Sequence, residues 1–394
     1  MGPVLGPNYG CGINMSWRNS DRDVAKMAAS QSAQVVLVGQ TPPPYGGQAI
    51  LIQAILQGLQ QALSVVHVRM GFSDSMGHIA RFRLRKLGHL VGVIGRTVGA
   101  LRKNRHAILY YPPAGAEWMA VFRDLVILMV TRPFAHRTLL HFHTSGVAAF
   151  VAVRPWLRGL ARLAYGRAHL CIIQNELSRR DAEYFDAREV TLLPCGLDVP
   201  IIRDRKGPVT PFRILYVGTH SARKGIRDLV ETADHLRNLG ADFMVHCVGE
   251  WYSEEDRSWC ETRVRQCRLE DRVVWRGNLV GDEKWREYDE ASLFFFPTAH
   301  PGETFGLVLL EAMAYGLPIV ASRWPGPKDV VEHEVTGLLC PPGDTESYAA
   351  AILRLMRNAE VRQCMGSKGR DRYLAQYTFD QYMNSFTAAI KGLE

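Results

Sequence analysis

Paired-cysteine chemistry is missing from this 394-residue chain. Its eight cysteines form no C-x-x-C pair and no Cys/His ligand spacing. They suit reduced, mostly buried thiols better than a disulfide framework. Long apolar runs are absent too. The best candidate, Val121 to Val130, is interrupted by Arg123 and Asp124, short of the ~18 uninterrupted apolar residues that a spanning helix needs. The N-terminus lacks a basic region followed by an apolar one, so no secretory signal is expected and a cytoplasmic location is. No internal repeat or low-complexity segment occurs.

What is present is ordinary in amount and uneven in distribution. The chain is 47% hydrophobic and 22% charged, as in soluble globular proteins. Its length calls for two domains rather than one core. Residues 1–200 hold 22 Lys and Arg against 11 Asp and Glu, a surplus of +11, whereas the remainder carries −3. A basic first half suits an anionic partner or acceptor, or is simply a solvated surface. It concentrates in Arg81-Phe-Arg83-Leu-Arg85-Lys86, in Arg102-Lys103-Asn-Arg105, and in a helix carrying Arg154, Arg158 and Arg162 on one face among Trp156, Leu157, Leu160 and Leu163. That last pattern fits peripheral attachment to an anionic membrane as well as it fits a helix packed on its own sheet.

Residues 1–33 show little periodicity and read as a loosely ordered extension. From residue 34 onward, apolar runs of strand length alternate with helical patterns. Strands are expected at 34–38, 65–68, 107–111, 138–142, 169–173 and 190–193, with helices from Gln48, over His78–Arg105, from Ala116 and over Pro155–Arg167. The charged, proline-containing stretch 199–211 reads as a linker. The pattern then restarts with strands at 212–217, 243–248, 273–275, 293–296 and 319–322, and a last helix over 379–392. This predicts two doubly wound α/β domains, 34–198 and 212–376, facing each other across a cleft, with 377–394 as a closing segment.

The chemistry concentrates around Glu303-Thr304-Phe305-Gly306-Leu307 and Glu311, which lie between two expected strands. Glu303 sits in a loop. The amides of Phe305, Gly306 and Leu307 are the open first-turn donors of the following helix, a place that favours an anion such as phosphate. Glu311 lies one to one and a half turns in and leans toward that N-terminus. Two carboxylates flanking one ligand suit the vicinal hydroxyls of a sugar or a ribose. A second cluster, Gly218-Thr-His-Ser-Ala-Arg223-Lys224-Gly225, follows a strand and sets two adjacent cations at a turn, placed to bind phosphate. Gly46-Gly47 forms a glycine turn after the first strand. His141 and His143 close another strand on one face, where a histidine serves a packed core as readily as a ligand.

The stretch from Glu303 to Ser322 resembles the Glu–seven residues–Glu signature of retaining glycosyltransferases of the GT-B fold, family 4 in particular, with Thr304 where that family usually has Gly. The resemblance implies two facing Rossmann-like domains, the first for the acceptor and the second for the nucleotide sugar, with the last helix crossing back onto the first. It implies that Glu303 holds donor-sugar hydroxyls and Glu311 the ribose diol, and that Gly218, Arg223 and Lys224 hold the diphosphate. Gly46 and Gly47 would approach that diphosphate, and His143, with His141 in reserve, would contact the sugar near the reacting carbon. Pro194-Cys195-Gly196-Leu-Asp198 departs from the family's Asn-Gly-Val-Asp at Cys195.

No D-x-D follows a strand, and Asp21-Arg-Asp23 lies in the irregular N-terminal stretch. No metal or other cofactor is therefore expected, since Arg223, Lys224 and the helix N-terminus can carry the diphosphate charge. The expected reaction is transfer from a nucleotide sugar, UDP-linked or next GDP-mannose, to a hydroxyl of a glycan, lipid-linked or small-molecule acceptor. Alternatives are a UDP-N-acetylglucosamine epimerase, a sugar phosphorylase, or a basic-surface nucleic-acid binder. The intact Glu303/Glu311 motif counts against the first two. The absence of any recognition motif counts against the third, so no nucleic-acid partner is expected.

Overall fold

The computed structural model describes residues 34–42, 47–71, 84–200 and 210–393. The extension 1–33, Gly46, Arg81 and Arg83 of the first basic run, and most of the expected linker lie outside these residues.

Among the described residues, twelve strands form two sheets of six, every pairing parallel. β1 (Val35–Gly39), β2 (Val65–Arg69), β3 (Ile108–Tyr111), β4 (Arg137–Phe142), β5 (Leu170–Ile173) and β6 (Val190–Leu192) make the first, in the order β2-β1-β3-β4-β5-β6. β7 (Phe212–Val217), β8 (Phe243–Val248), β9 (Val273–Gly277), β10 (Leu293–Phe296), β11 (Ile319–Ser322) and β12 (Gly337–Cys340) make the second, in the order β12-β11-β10-β7-β8-β9. Parallel strands need crossover helices, which bury both sheet faces, and this is why β1, β3, β5, β10 and β11 are buried at every position. β12 has no counterpart among the sequence expectations, because four residues beginning with Gly337 carry too little periodicity. The helix expected from His78 is described from Leu84 and runs to Lys103.

Alternation along each strand divides the packing. Val35 and Leu37 face the helix Gly47–Ala62 and the last helix, Phe379–Lys391. Val36 and Val38 face the helices Leu84–Lys103, Trp118–Thr131 and Pro155–Tyr165. In the second sheet Ile214, Tyr216, Val245 and Phe295 pack under the helices Ile226–Asn238, Glu254–Gln266 and Thr345–Arg357. The cluster containing Val35 continues into the second domain through Tyr373, Tyr377 and Tyr382, so the two sheets share an apolar seam. The chain returns to the first domain at Thr378: Leu197 pairs with that residue, and Tyr373 Oη donates to Leu197 O at 2.8 Å. Phe386 then packs against Tyr110 and His141.

Six of the seven described cysteines are buried free thiols, and only Cys364 is exposed. Burial pushes the Cys171 thiol up to about 12, which keeps it protonated and unreactive.

Candidate active site between the two domains

The C-terminal ends of the two sheets approach each other where β4 runs into His143 and β10 into Thr298–Thr304. Thr304 Oγ1 donates to His143 O at 2.6 Å, and Asn175 Nδ2 donates to Thr304 O. Asn175 is held for this by its own role as N-cap, accepting from Ser178 N at 3.1 Å. The position at which this chain departs from the family's usual glycine is thus a bridge between the domains. On the same side Gly47 opens the helix Gly47–Ala62, and a Cβ there would lie 3.9 Å from Leu307 Cδ1. The start of the helix Gly47–Ala62 and the helix carrying Glu311 therefore face each other across the cleft.

That helix, Leu307–Ala314, begins after Gly306, whose φ of 84° lies in the left-handed region. The amides of Phe305, Gly306 and Leu307 donate to no acceptor among the described residues. Glu311 is its fifth residue and is 6% exposed. Lys284 Nζ donates to Glu311 Oε1 and Tyr288 Oη to Oε2, each at 2.6 Å. Both donors come from the helix Gly281–Glu290, where their four-residue spacing puts them on one face. Each carboxylate oxygen keeps a lone pair for a further donor. Burial, with the Glu311 charge beside it, raises the Tyr288 phenol well above its ordinary value, so it stays a donor.

Glu303 pairs with Lys224. Lys224 closes a 3-10 turn, Ala222–Lys224, capped by Ser221, whose side chain accepts from Lys224 N at 3.3 Å. Gly225 follows at φ 79°, and a Cβ there would overlap the Pro297 carbonyl oxygen. Only glycine lets the cation turn sit against the end of β10. Ala299 N donates to Arg223 O at 3.0 Å, which ties the two loops together again. The Arg223 side chain is exposed and makes no ion pair among the described residues. Gly218 closes β7, with Gly249 packed directly on its carbonyl.

His143 is buried, and its imidazole is lowered to about 3 by burial. Gln174 Nε2, which can only donate, lies 2.7 Å from Nδ1, so the ring proton sits on Nε2. Nε2 meets no protein partner among the described residues. His141 lies behind it, ring centroids 3.9 Å apart, with Nδ1 3.0 Å from Tyr110 Oη. Burial and then the neighbouring His143 hold His141 well below its ordinary value. Of the two, His143 is beside the Thr304 bridge, and His141 belongs to the core with Phe386.

The structure therefore brings together Gly47, His143, Lys224, Glu303, Thr304, Phe305, Gly306, Leu307 and Glu311, with Arg223 and Gly218 at the rim. Sequence reasoning missed Lys284, Tyr288, Gln174 and Asn175. The signal for the first pair, a Lys and a Tyr four apart on a helix, is too common to single out. His220 was also missed: it is buried against Tyr216, Trp251 and Trp275, and burial lowers it to about 4. Among the described residues no three His, Cys, Asp or Glu side chains cluster as a metal site would require.

Two Rossmann-like domains, apposed at the C-terminal ends of parallel sheets with a polar cleft between them, are the GT-B architecture. Sucrose-phosphate synthase from Thermosynechococcus elongatus overlays with a TM-score of 0.70 over 91% of this chain and 99% of that one, at 20% identity. HepE of Anabaena, solved with UDP-glucose, overlays with a TM-score of 0.69 over 91% and 99%, at 17% identity. Likeness at these identities concerns the fold.

Sequence comparison is more specific. The family described as glycosyl transferases group 1 matches residues 199–372. The colanic acid biosynthesis glycosyltransferase WcaL of Escherichia coli K12, itself named as putative, is 31% identical over 71% of this chain and 74% of that protein. The amylovoran biosynthesis glycosyltransferase AmsK of Erwinia amylovora is 36% identical over 37% of this chain. The chain belongs to the group 1 glycosyltransferases. It spans about a third of the length of the first curated relatives that it matches, 36% for AmsK.

Proposed function

We propose that the protein transfers a glycosyl unit from a nucleotide diphosphate sugar, UDP-linked in preference to GDP-mannose, to a hydroxyl of a glycan, lipid-linked or small-molecule acceptor, with anomeric configuration retained and without a metal. The observation that carries this reading is the pair of fixed carboxylates around open amides. Glu303 is held by Lys224, Glu311 by Lys284 and Tyr288, and the N–H groups of Phe305 to Leu307 lie between them. Glu311 would take the ribose diol on its remaining lone pairs, and Glu303 the sugar hydroxyls. Lys224, Arg223 and the open amides would face the diphosphate.

The bond between the anomeric carbon and the phosphate oxygen breaks as the acceptor oxygen bonds to the same carbon on the same face. The acceptor proton goes to the departing phosphate. Charge builds on that phosphate, where fixed cations and dipoles stabilise it most. A neutral His143 presenting Nε2–H can hold a sugar hydroxyl or carbonyl without adding charge at the developing oxocarbenium. The UDP-glucose bound to HepE and the polysaccharide pathways named for AmsK and WcaL support a UDP-linked donor and a glycan product.

Thermal-shift screening and calorimetry with UDP, GDP, UDP-glucose, UDP-N-acetylglucosamine, UDP-galactose and GDP-mannose test the reading. One diphosphate should bind, and its sugar should be released slowly in the absence of acceptor. No stabilisation by any of them would overturn it. Release of an epimerised free sugar would favour the epimerase.

A further inference from the structure

The helices Trp118–Thr131 and Pro155–Tyr165 lie side by side and parallel on the outside of the first domain. At their starts the rings of Trp118 and Trp156 stack at 5.9 Å and 14°. At their ends Arg132 donates to the Ala164 carbonyl at 2.6 Å. Facing outward along the pair are Trp118, Phe122, Trp156, Leu160 and Leu163, the last three and Phe122 between 41% and 70% exposed. Isolated exposed apolar residues need no explanation, but a contiguous strip of this kind marks an interaction surface.

Charge tells which surface. Arg154 packs over the Trp118 and Phe150 rings, 4.7 and 3.8 Å from their centroids, and Arg158 and Arg162 project from the second helix, which contains no acidic residue. The one acid on the first helix, Asp124, is fully buried and bonded to Tyr111, Arg123 and the Ala114 amide. Indole rings with arginines around an aliphatic strip match the boundary between lipid headgroups and acyl chains.

We infer that this two-helix face docks the protein onto an anionic lipid bilayer. Its tryptophan end adjoins the cleft: Glu117, just before Trp118, is near enough for its charge to act on His300 in the second domain, and Gly115 lies against Thr144, next to His143. Docking therefore sets the cleft mouth at the headgroups. That an acceptor is drawn from the bilayer follows only if the glycosyl-transfer reading above is right; lipid binding itself does not depend on it.

Flotation of the full chain with phosphatidylcholine vesicles, with and without phosphatidylglycerol, tests the inference. Recovery should require the anionic lipid and fall as salt rises. Arg158→Ala with Arg162→Ala should lower the partition coefficient about 30-fold, at about 1 kcal/mol per cation. Trp156→Ala with Phe122→Ala should lower it even at low salt, and these exposed positions should leave nucleotide diphosphate binding and melting temperature unchanged. Equal recovery on neutral and anionic vesicles, or none at low salt, overturns the inference while leaving diphosphate binding intact. So does a dimer in analytical ultracentrifugation that the Trp156/Phe122 variant abolishes, because the face would then belong to a second copy.

Discussion

Thr304 donates its hydroxyl to the main-chain carbonyl of His143, one residue from each domain. The contact exists only when the two domains are together, so it adds its strength to the closed state and to nothing else. Thr304→Val keeps the shape and leaves the His143 carbonyl without a donor, which costs about 1–3 kcal/mol. The expected outcome is a lower kcat/KM for the donor, tenfold or more, and a larger radius of gyration in solution scattering. Thr304→Gly should be milder, since it lets water reach the carbonyl. A Thr304→Val enzyme with unchanged scattering and kinetics would show that closure does not use this bond.

Glu311 is oriented before any ligand arrives. Its two oxygens are each fixed by a donor from the neighbouring helix, so little ordering remains for the proposed ribose contact. Glu311→Ala should weaken binding of the free nucleotide diphosphate by roughly 1.5–3 kcal/mol, about tenfold to a hundredfold. Tyr288→Phe should cost less, because Lys284 still holds the carboxylate. The Glu311/Tyr288 double variant should bind no worse than Glu311→Ala alone. Calorimetry with UDP and GDP measures all three, and additive losses would mean that Tyr288 acts on the ligand independently of Glu311.

The fold was legible because parallel strands buried on both faces leave continuous apolar runs. β7, β8, β10 and β11 fall on the very residues expected. β12 escaped because a short edge strand beginning at Gly337 has no such run. The Glu303–Glu311 segment was legible for a different reason: its carboxylates, glycine and helix are neighbours in sequence, so local geometry alone brings them together. Lys284, Tyr288, Gln174 and Asn175 reach the site only through tertiary packing; Asn175 and Thr304 are 129 positions apart. No periodicity encodes such a meeting. The bridging role of Thr304 was illegible as well, since its partner is a main-chain carbonyl that any residue supplies.

The turn carrying Arg223 and Lys224 gives the next prediction. Lys224 is paired with Glu303, whereas Arg223 is exposed and able to swing toward an anion. Removing Lys224 alone leaves Glu303 without its cation as well as weakening the proposed phosphate site. Lys224→Ala should therefore lower kcat more than Arg223→Ala, and the double variant should lose several orders of magnitude. Melting temperature should stay close to that of the parent, because both side chains are outside the core. Turnover should also survive EDTA. Loss on chelation, restored by magnesium or manganese, would refute the metal-free reading.

Acid should destabilise the protein well before its carboxylates titrate. Burial lowers His143 to about 3 and His220 to about 4, against about 6.5 in the unfolded chain. Between those values and 6.5 the unfolded state binds protons that the native state refuses, so stability falls as pH falls. Each histidine should remove about 2 kcal/mol on going from pH 7.5 to pH 5, nearly all of it below pH 7. His143→Gln replaces a proton acceptor by an amide that does not titrate, and should flatten the slope by about one histidine's share. The measurement is urea unfolding of parent and variant at pH 7.5, 6 and 5. A parent whose stability is level across that range would mean that His143 and His220 are protonated without resistance in the folded state, and the neutral Nε2–H donor assigned to His143 would go with it.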